Sequence, residues 1–223
     1  MAERERTARA SDLDPDLAER QRRYWDRHAG SYDREMAFLE RVLFGDGRAW
    51  VCRQATGRVL EVAIGTGRNL AHYPDTVRLT GVDVSPAMLA LARRRADEAG
   101  RDIALQVGDA QTLGFADGAF DTVVCTLALC SIPDADRAVA EMKRVLRPGG
   151  RLLLLDHVAG VRRAVRAVQR ILEAITVRVG GEHLLRRPLA QVQAAGFRIE
   201  RCERYKCGIV ERLMARKPQE DEA

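Results

Sequence analysis

Long apolar runs, lysine and paired cysteines are scarce in this chain of 223 residues. The longest nearly uncharged apolar stretch, Thr122 to Ile132, falls far short of the roughly 20 residues a spanning helix needs, so no integral membrane segment is expected. Met1 to Asp14 is crowded with Arg, Glu and Asp and has no apolar signal core, which points to a cytoplasmic location. Lys143, Lys206 and Lys217 are the only lysines; 37 basic against 32 acidic residues leave a net charge of +5. That excess is spread along the chain without a clustered stripe or a recognition motif, so nucleic acid is not expected as a partner. Cys52, Cys125, Cys130, Cys202 and Cys207 form no C-x-x-C pair, so neither a disulfide framework nor a metal site is expected. No Gly-Lys dipeptide, G-x-S-x-G or H-E-x-x-H occurs, which argues against Walker-type phosphate binding, a serine-hydrolase elbow and a zinc peptidase.

What is present is an apolar content of 46%, enough for one folded domain. Short apolar strands alternate with helical patterns: Arg58 to Val62, then Leu70 to Tyr73; Val77 to Val82, then Pro86 to Ala99; Ile103 to Val107; Phe120 to Thr126, then Asp134 to Leu146; Arg151 to Asp156. Such alternation predicts right-handed crossovers and a parallel sheet covered by helices. Phe197 to Tyr205 and Gly208 to Arg216 alternate around Lys206-Cys207-Gly208 as an antiparallel hairpin. The expected fold is therefore α/β, a Rossmann-like doubly wound and mostly parallel seven-stranded sheet with that C-terminal hairpin.

Residues 1–51 read as a charged arm and a helical cap, with two helices broken near His28-Ala29-Gly30-Ser31, where Gly30 can end one helix and Ser31 cap the next. The main domain is expected over 52–216 and a charged tail over 217–223. Within the domain, 159–187 reads as an insertion: Val161, Ala164, Val165, Val168, Leu172, Ile175 and Val179 recur at helical spacing, with Arg162, Arg166 and Arg170 opposite. An insertion after the fifth strand sits at the carboxyl edge of the sheet, which predicts a lid over the acceptor. Its arginine face also permits peripheral contact with a membrane surface.

The strongest chemical signal is Glu61-Val62-Ala63-Ile64-Gly65-Thr66-Gly67, an apolar strand running into a small-residue turn. Ligands of doubly wound sheets bind there, outside the carboxyl ends of the strands, and Gly65 and Gly67 remove side chains where backbone approaches the ligand. A second strand ends in Asp83, 16 residues beyond Gly67, where a carboxylate can accept both hydroxyls of a ribose. The dinucleotide pattern G-x-G-x-x-G fails in either register, because Leu70 stands where the third glycine would be, so a dehydrogenase is disfavoured. Gly108-Asp109-Ala110 closes the third strand with a carboxylate and a backbone amide suited to an adenine edge. The fourth strand, ending at Thr126, should deliver its exit, Leu127 to Ser131, beside the reacting atoms.

Glu61 to Gly67, Gly81-Val82-Asp83, Gly108-Asp109-Ala110, Phe120-Asp121 and Leu146-Arg147-Pro148-Gly149-Gly150 resemble, in order and spacing, the motif series of class I S-adenosylmethionine-dependent methyltransferases. The resemblance implies S-adenosylmethionine as cofactor, with Glu61, Ala63, Gly65 and Gly67 around its methionine part and Thr126 near the transferred group. It also implies Asp83 on the ribose, Val84 against adenine, and Asp109 with Ala110 at the adenine edge. Ala63-Ile64 departs from the family, which more often has glycine followed by a small residue. Val123 to Ser131 with Asp156-His157-Val158-Ala159 is similar, more narrowly, to the methyltransferase-like 7 group of thiol methyltransferases. That implies a small-molecule acceptor with a soft nucleophile; phospholipid N- and quinone C-methyltransferases share the broader motifs, and a non-catalytic S-adenosylmethionine-binding protein is the non-enzyme alternative.

For the acceptor side, His157, just past the fifth strand, is the first candidate base, with Asp156 beside it and Cys130 as a relay or a core thiol. His183, His28, Tyr24 and Tyr32 could approach the same rim, each with a structural role as the plainer reading.

Overall fold

The computed structural model describes residues 15–219, so the expected charged arm and the end of the charged tail lie outside the described residues. Its seven strands are β1 (Arg58–Val62), β2 (Arg78–Asp83), β3 (Ile103–Val107), β4 (Phe120–Thr126), β5 (Leu146–His157), β6 (Arg198–Tyr205) and β7 (Val210–Arg216), in the order β3-β2-β1-β4-β5-β7-β6. β1 to β5 are parallel, and β7 lies antiparallel between β5 and β6. The order reverses between β1 and β4, so their carboxyl ends diverge and leave a crevice, the position where doubly wound sheets take ligands.

The helices are α1 (Pro15–Leu39), α2 (Gly47–Cys52), α3 (Pro86–Glu98), α4 (Ala135–Val145), α5 (Arg163–Gly180) and α6 (Pro188–Ala194). One apolar layer packs Leu60, Val62, Val123, Leu152 and Leu154 against α4 and α6. The opposite layer sets Val59, Leu79, Val124, Leu153 and Leu155 against α1, α2 and α3. Alternate residues of one strand serve opposite layers, as a strand period of two requires. α3 carries its own start signals: the Ser85 hydroxyl caps it by accepting from the Met88 N–H at 3.1 Å, and Pro86 occupies the first turn. None of the described helices is long and apolar enough to cross a membrane.

Two expectations are corrected. The N-terminal cap is not broken near Gly30, because α1 runs unbroken from Pro15 to Leu39. Gly30 costs about 1 kcal/mol there, but Asp26 and Asp33, seven residues apart and therefore on one face, both dock on the body. Asp26 Oδ1 accepts from the Ser85 hydroxyl at 2.6 Å and from the Ala87 N–H at 3.2 Å; Asp33 accepts from the Thr66 hydroxyl at 2.6 Å and Arg95 Nη2 at 2.5 Å. A break between them would throw one carboxylate out of register. Ser31 donates back to the His28 carbonyl at 3.3 Å in place of capping a new helix. A π-helical turn over Glu40–Phe44 follows α1, and the chain turns at Gly45, φ 53°. The second correction concerns Leu70 to Tyr73, which forms only a 3₁₀ turn over Leu70–His72. Pro74 holds Tyr73 extended, at ψ 143°, so no longer helix begins behind the glycine turn.

Candidate functional site

The crevice between the carboxyl ends of β1, β2 and β4 is a cleft of about 720 Å³, roofed by Gln21, Trp25 and Tyr32 of α1. Among the expected site residues, Ala63, Gly65, Asp83, Val84, Asp109, Ala110 and Thr126 line it, whereas Glu61 and Gly67 do not.

The turn after β1 is built from positive-φ residues: Ala63 at 54°, Gly65 at 57° and Gly67 at 78°. Each glycine is required for a different reason. A Cβ on Gly65 would meet only Tyr32, at 4.0 Å, so its bare face is turned to the cleft; one on Gly67 would lie 2.9 Å from Leu70 Cδ1 and 3.2 Å from Ala92 Cα, so that glycine serves the packing of α3. The departure at Ile64 has a partner in β2: a Cβ on Gly81 would stand 2.6 Å from Ile64 Cδ1, so the isoleucine fills the hole that glycine leaves.

Asp83 stands at the end of β2 with each oxygen held by backbone: Oδ2 accepts from the Gly65 N–H at 2.8 Å and Oδ1 from the Ser85 N–H at 2.9 Å. Burial raises its carboxyl to about 6, against the pull of those two amides, and nearby Asp26 adds to the rise. The remaining lone pairs suit neutral hydroxyl donors. Asp109 folds back onto its own turn, accepting from the Gln111 N–H at 2.8 Å, while Val84 and Met88 supply an apolar wall.

A polar cluster that the sequence did not reveal reaches the cleft through Arg48 and Thr126, which line it. Arg48, on the short helix α2, donates to Asn69 Oδ1 and Thr126 Oγ1, each at 2.9 Å, and to Glu40 Oε1 at 2.5 Å. Asn69 donates in turn to Glu61 Oε1 at 2.8 Å and to Thr126 Oγ1 at 2.9 Å, and the Tyr73 hydroxyl donates to Glu61 Oε2 at 2.8 Å. Glu61 is thus a buried brace for the turn, its carboxyl raised to about 7 by burial against the stabilising Tyr73, Arg48 and Asn69. The one signal for Arg48 was a charge inside the apolar stretch Gly47-Arg48-Ala49-Trp50-Val51. Tyr32, on the roof, is pushed to about 12 by burial, with Arg48 opposing, and remains a protonated donor.

Across the cleft, Thr126, Leu127, Ala128, Ser131 and Ile132 form the wall at the β4 exit, and Gln21 Nε2 donates to the Ser131 carbonyl at 2.5 Å. His157 does not line the cleft. It groups with Cys130 and Asp156, their Sγ, imidazole nitrogen and carboxylate oxygen within 4.8 Å of one another, and its Nδ1 is buried without a hydrogen-bond partner. This is the one cluster among the described residues with a metal-compatible donor set. Burial raises both the Cys130 thiol and the Asp156 carboxyl, and the two hydrogen-bond to each other. His28 is structural: its Nδ1 lies 2.8 Å from the Tyr24 carbonyl and its ring stacks on Tyr24 at 4.0 Å. The His183 N–H donates to the Cys130 carbonyl at 2.8 Å, with Glu173 at 3.7 Å from its ring. Cys125 is core. No residue of 159–187 lines the cleft.

This geometry, a glycine-lined turn flanked by carboxylates at successive strand ends, coincides with a family match over residues 60–154. The family matched is described as a methyltransferase domain. The chain is 42% identical over 118 residues to phosphatidylethanolamine N-methyltransferase of Cereibacter sphaeroides, a stretch covering 52% of this chain and 58% of that protein. It is 35% identical over 133 residues to human thiol S-methyltransferase TMT1A, covering 57% and 54%. The chain spans about half to two thirds of the length of the curated relatives it matches. Among solved structures, a SAM-dependent methyltransferase of Thermotoga maritima superposes with a TM-score of 0.67 at 21% identity, covering 87% of this chain and 99% of that one. At that identity the likeness speaks for the fold.

Proposed function

We propose that the methyltransferase domain binds S-adenosylmethionine in this cleft and methylates a small acceptor carrying a soft nucleophile, a thiol foremost, in the cytoplasm. The observation that carries the reading is the meeting in one cleft of the open face of Gly65 with the Asp83 and Asp109 carboxylates. The residues fit the ligand: Asp83 accepts the ribose hydroxyls, Val84 and Met88 pack against adenine, Asp109 and Ala110 read its edge, and the Ala63–Gly65 backbone holds the amino-acid end. When bound, S-adenosylmethionine supplies an electrophilic methyl carbon on a sulfonium centre.

The chain's own task is then to position and to desolvate, the means by which most of such a barrier falls. Trp25 and Tyr32 roof the cleft against water, and Leu127 to Ser131 set the acceptor's approach. The wall from Leu127 to Ser131 would hold the acceptor sulfur toward the donor's methyl group, and the acceptor's proton would reach His157, which lies outside the cleft wall, through an intervening water. An acceptor thiol, with a pKa near about 8.5, needs less help from that base than a phenol near about 10. The insertion 159–187 shapes the acceptor side from beside the β4 exit, which it touches through His183. All five cysteines are free, which suits a reducing compartment. A phospholipid acceptor is the second reading, favoured by the apolar residues that α5 exposes.

Calorimetric titration with S-adenosylmethionine and its demethylated product tests the donor site. Wild type binds both, and Asp83→Asn weakens binding roughly 100-fold, the effect of losing a charged acceptor for two hydroxyls. A folded wild type that binds neither overturns the reading. In an acceptor panel, His157→Gln lowers kcat at least about tenfold for phenols and much less for thiols; equal losses on both classes remove the base role.

A further inference from the structure

α5 has three faces, and the face turned to the protein is not its apolar one. Gln169 Oε1 accepts from the Gly160 N–H at 2.8 Å and its Nε2 donates to the Val158 carbonyl at 2.9 Å; Glu173 Oε1 accepts from the Leu185 N–H at 3.2 Å; the Thr176 hydroxyl donates to the Glu182 carbonyl at 2.8 Å. These positions recur every three or four residues and fasten the helix through polar groups. The aliphatic stripe lies beside them at the same spacing and faces water: Val168 is 57% exposed, Ile171 70%, Leu172 47% and Ile175 57%. A surface helix ordinarily buries such a stripe. Round the helix from it stand Arg162, Arg163, Arg166, Arg170 and Arg178, against Glu173 as the helix's only acid. Among the described residues, none of these arginines forms an ion pair.

An aliphatic stripe on a helix whose other exposed face carries arginines without acidic partners matches the interior and the phosphates of a bilayer surface at once. A second copy of this chain is a poorer match, because pairing α5 with α5 would join two helices that each carry a large excess of arginine over acid and supply no countercharge. The turn after α5 reaches the β4 exit: the His183 N–H donates to the Cys130 carbonyl, and the adjacent Ser131 carbonyl accepts from Gln21 on α1. Leu17, one helical turn before Gln21, is 40% exposed as well.

We infer that α5 is an interfacial helix that docks this protein on anionic lipid, with Val168, Ile171, Leu172 and Ile175 entering the headgroup–acyl boundary and its arginines meeting lipid phosphates. The inference stands on this surface alone and holds whether or not the cleft transfers methyl groups. Flotation of the full chain with vesicles tests it. The protein rises with vesicles rich in phosphatidylglycerol and binds pure phosphatidylcholine at least roughly tenfold more weakly. Ile171→Glu/Ile175→Glu reduces flotation at least roughly tenfold with an unchanged melting temperature, since both side chains already face water. Arg163→Gln/Arg170→Gln reduces binding to the phosphatidylglycerol vesicles and leaves the weak phosphatidylcholine binding as it was. Failure to float at any phosphatidylglycerol content overturns the inference, as does undiminished flotation of the glutamate variant. A dimer in light scattering that the glutamate variant dissociates, with no vesicle binding by wild type, reassigns the stripe to self-association.

Discussion

The two sides of the β4 exit are built on opposite plans. On the donor side every charged group has a buried partner: Arg48 ties Glu40, Asn69 and Thr126 together, Asn69 and Tyr73 hold Glu61, and Asp83 is clasped by two backbone amides. On the acceptor side α5 is fastened by a few polar contacts while its aliphatic residues lie in water. A site that takes the same donor in every turnover gains from rigidity, because each group then meets a fixed ligand atom. A surface that meets varied acceptors, or a membrane, needs apolar area still uncommitted in the free protein. Stability and recognition are therefore divided between the halves.

Substitution breaks that comparison most sharply at Arg48. Arg48→Met strips the buried Asn69 Oδ1 of its donor and takes one donor each from Thr126, which keeps Asn69, and Glu40, which keeps Arg68; leaving a buried acceptor unsatisfied costs about 1–3 kcal/mol. Chemical denaturation checks this. Ile171→Ala on α5, by contrast, shifts stability by less than about 0.5 kcal/mol, since the side chain is already solvated. Similar losses at both positions would erase the distinction between the halves.

The donor half was also the more legible in the sequence, for a physical reason. Gly65, Asp83 and Asp109 sit where strands end, and strand ends are marked locally by glycine, by a carboxylate and by the apolar residues before them. Ser85-Pro86 told where α3 begins because capping is a local device. The continuity of α1 was not legible: Gly30 and Ser31 carry ordinary stop and start signals, which the docking of Asp26 and Asp33 on residues far along the chain overrides. Glu61 shows the same limit. Its place in the motif was readable, but only the fold shows that Asn69 and Tyr73 turn it inward, away from the cleft. The apolar period of α5 was plain in the sequence; that its stripe faces solvent depends on Gln169, Glu173 and Thr176, which occupy the inward face.

pH sharpens the comparison next. Asp83 rises from 3.8 to about 6 and Glu61 from 4.5 to about 7, so between those limits the folded chain holds protons that the unfolded chain has released. The stability they contribute is fully present below about pH 4 and is lost as pH rises through about 6 and 7; at about 1.36 kcal/mol per unit, Asp83 alone accounts for on the order of 3 kcal/mol. Donor affinity runs the other way, since the hydroxyl-accepting form of Asp83 disappears below about pH 6. Denaturant titrations and calorimetry across pH 5 to 8 should therefore show the free protein losing stability while it gains affinity, and Asp83→Asn should flatten much of both trends. An affinity that does not change across this range would mean that Asp83 is already ionised throughout.

The smallest effect is at Ala63, where the donor turn holds a non-glycine residue at φ 54°. Left-handed backbone costs a residue with a Cβ about 1–2 kcal/mol, and glycine is spared it at the expense of a more disordered unfolded chain, worth about 0.4–1 kcal/mol. The methyl group also packs against the core layer around Leu60 and Val62, and losing it forfeits up to about 0.8 kcal/mol. The strain slightly exceeds the sum of the opposing terms only where the methyl is incompletely buried, as it is here. Ala63→Gly should therefore raise the denaturation midpoint by no more than about 1 kcal/mol's worth, with donor affinity within about twofold. A fall in stability instead would mean that the methyl contact outweighs the strain, and that the alanine is part of the rigidity that sets the donor side apart.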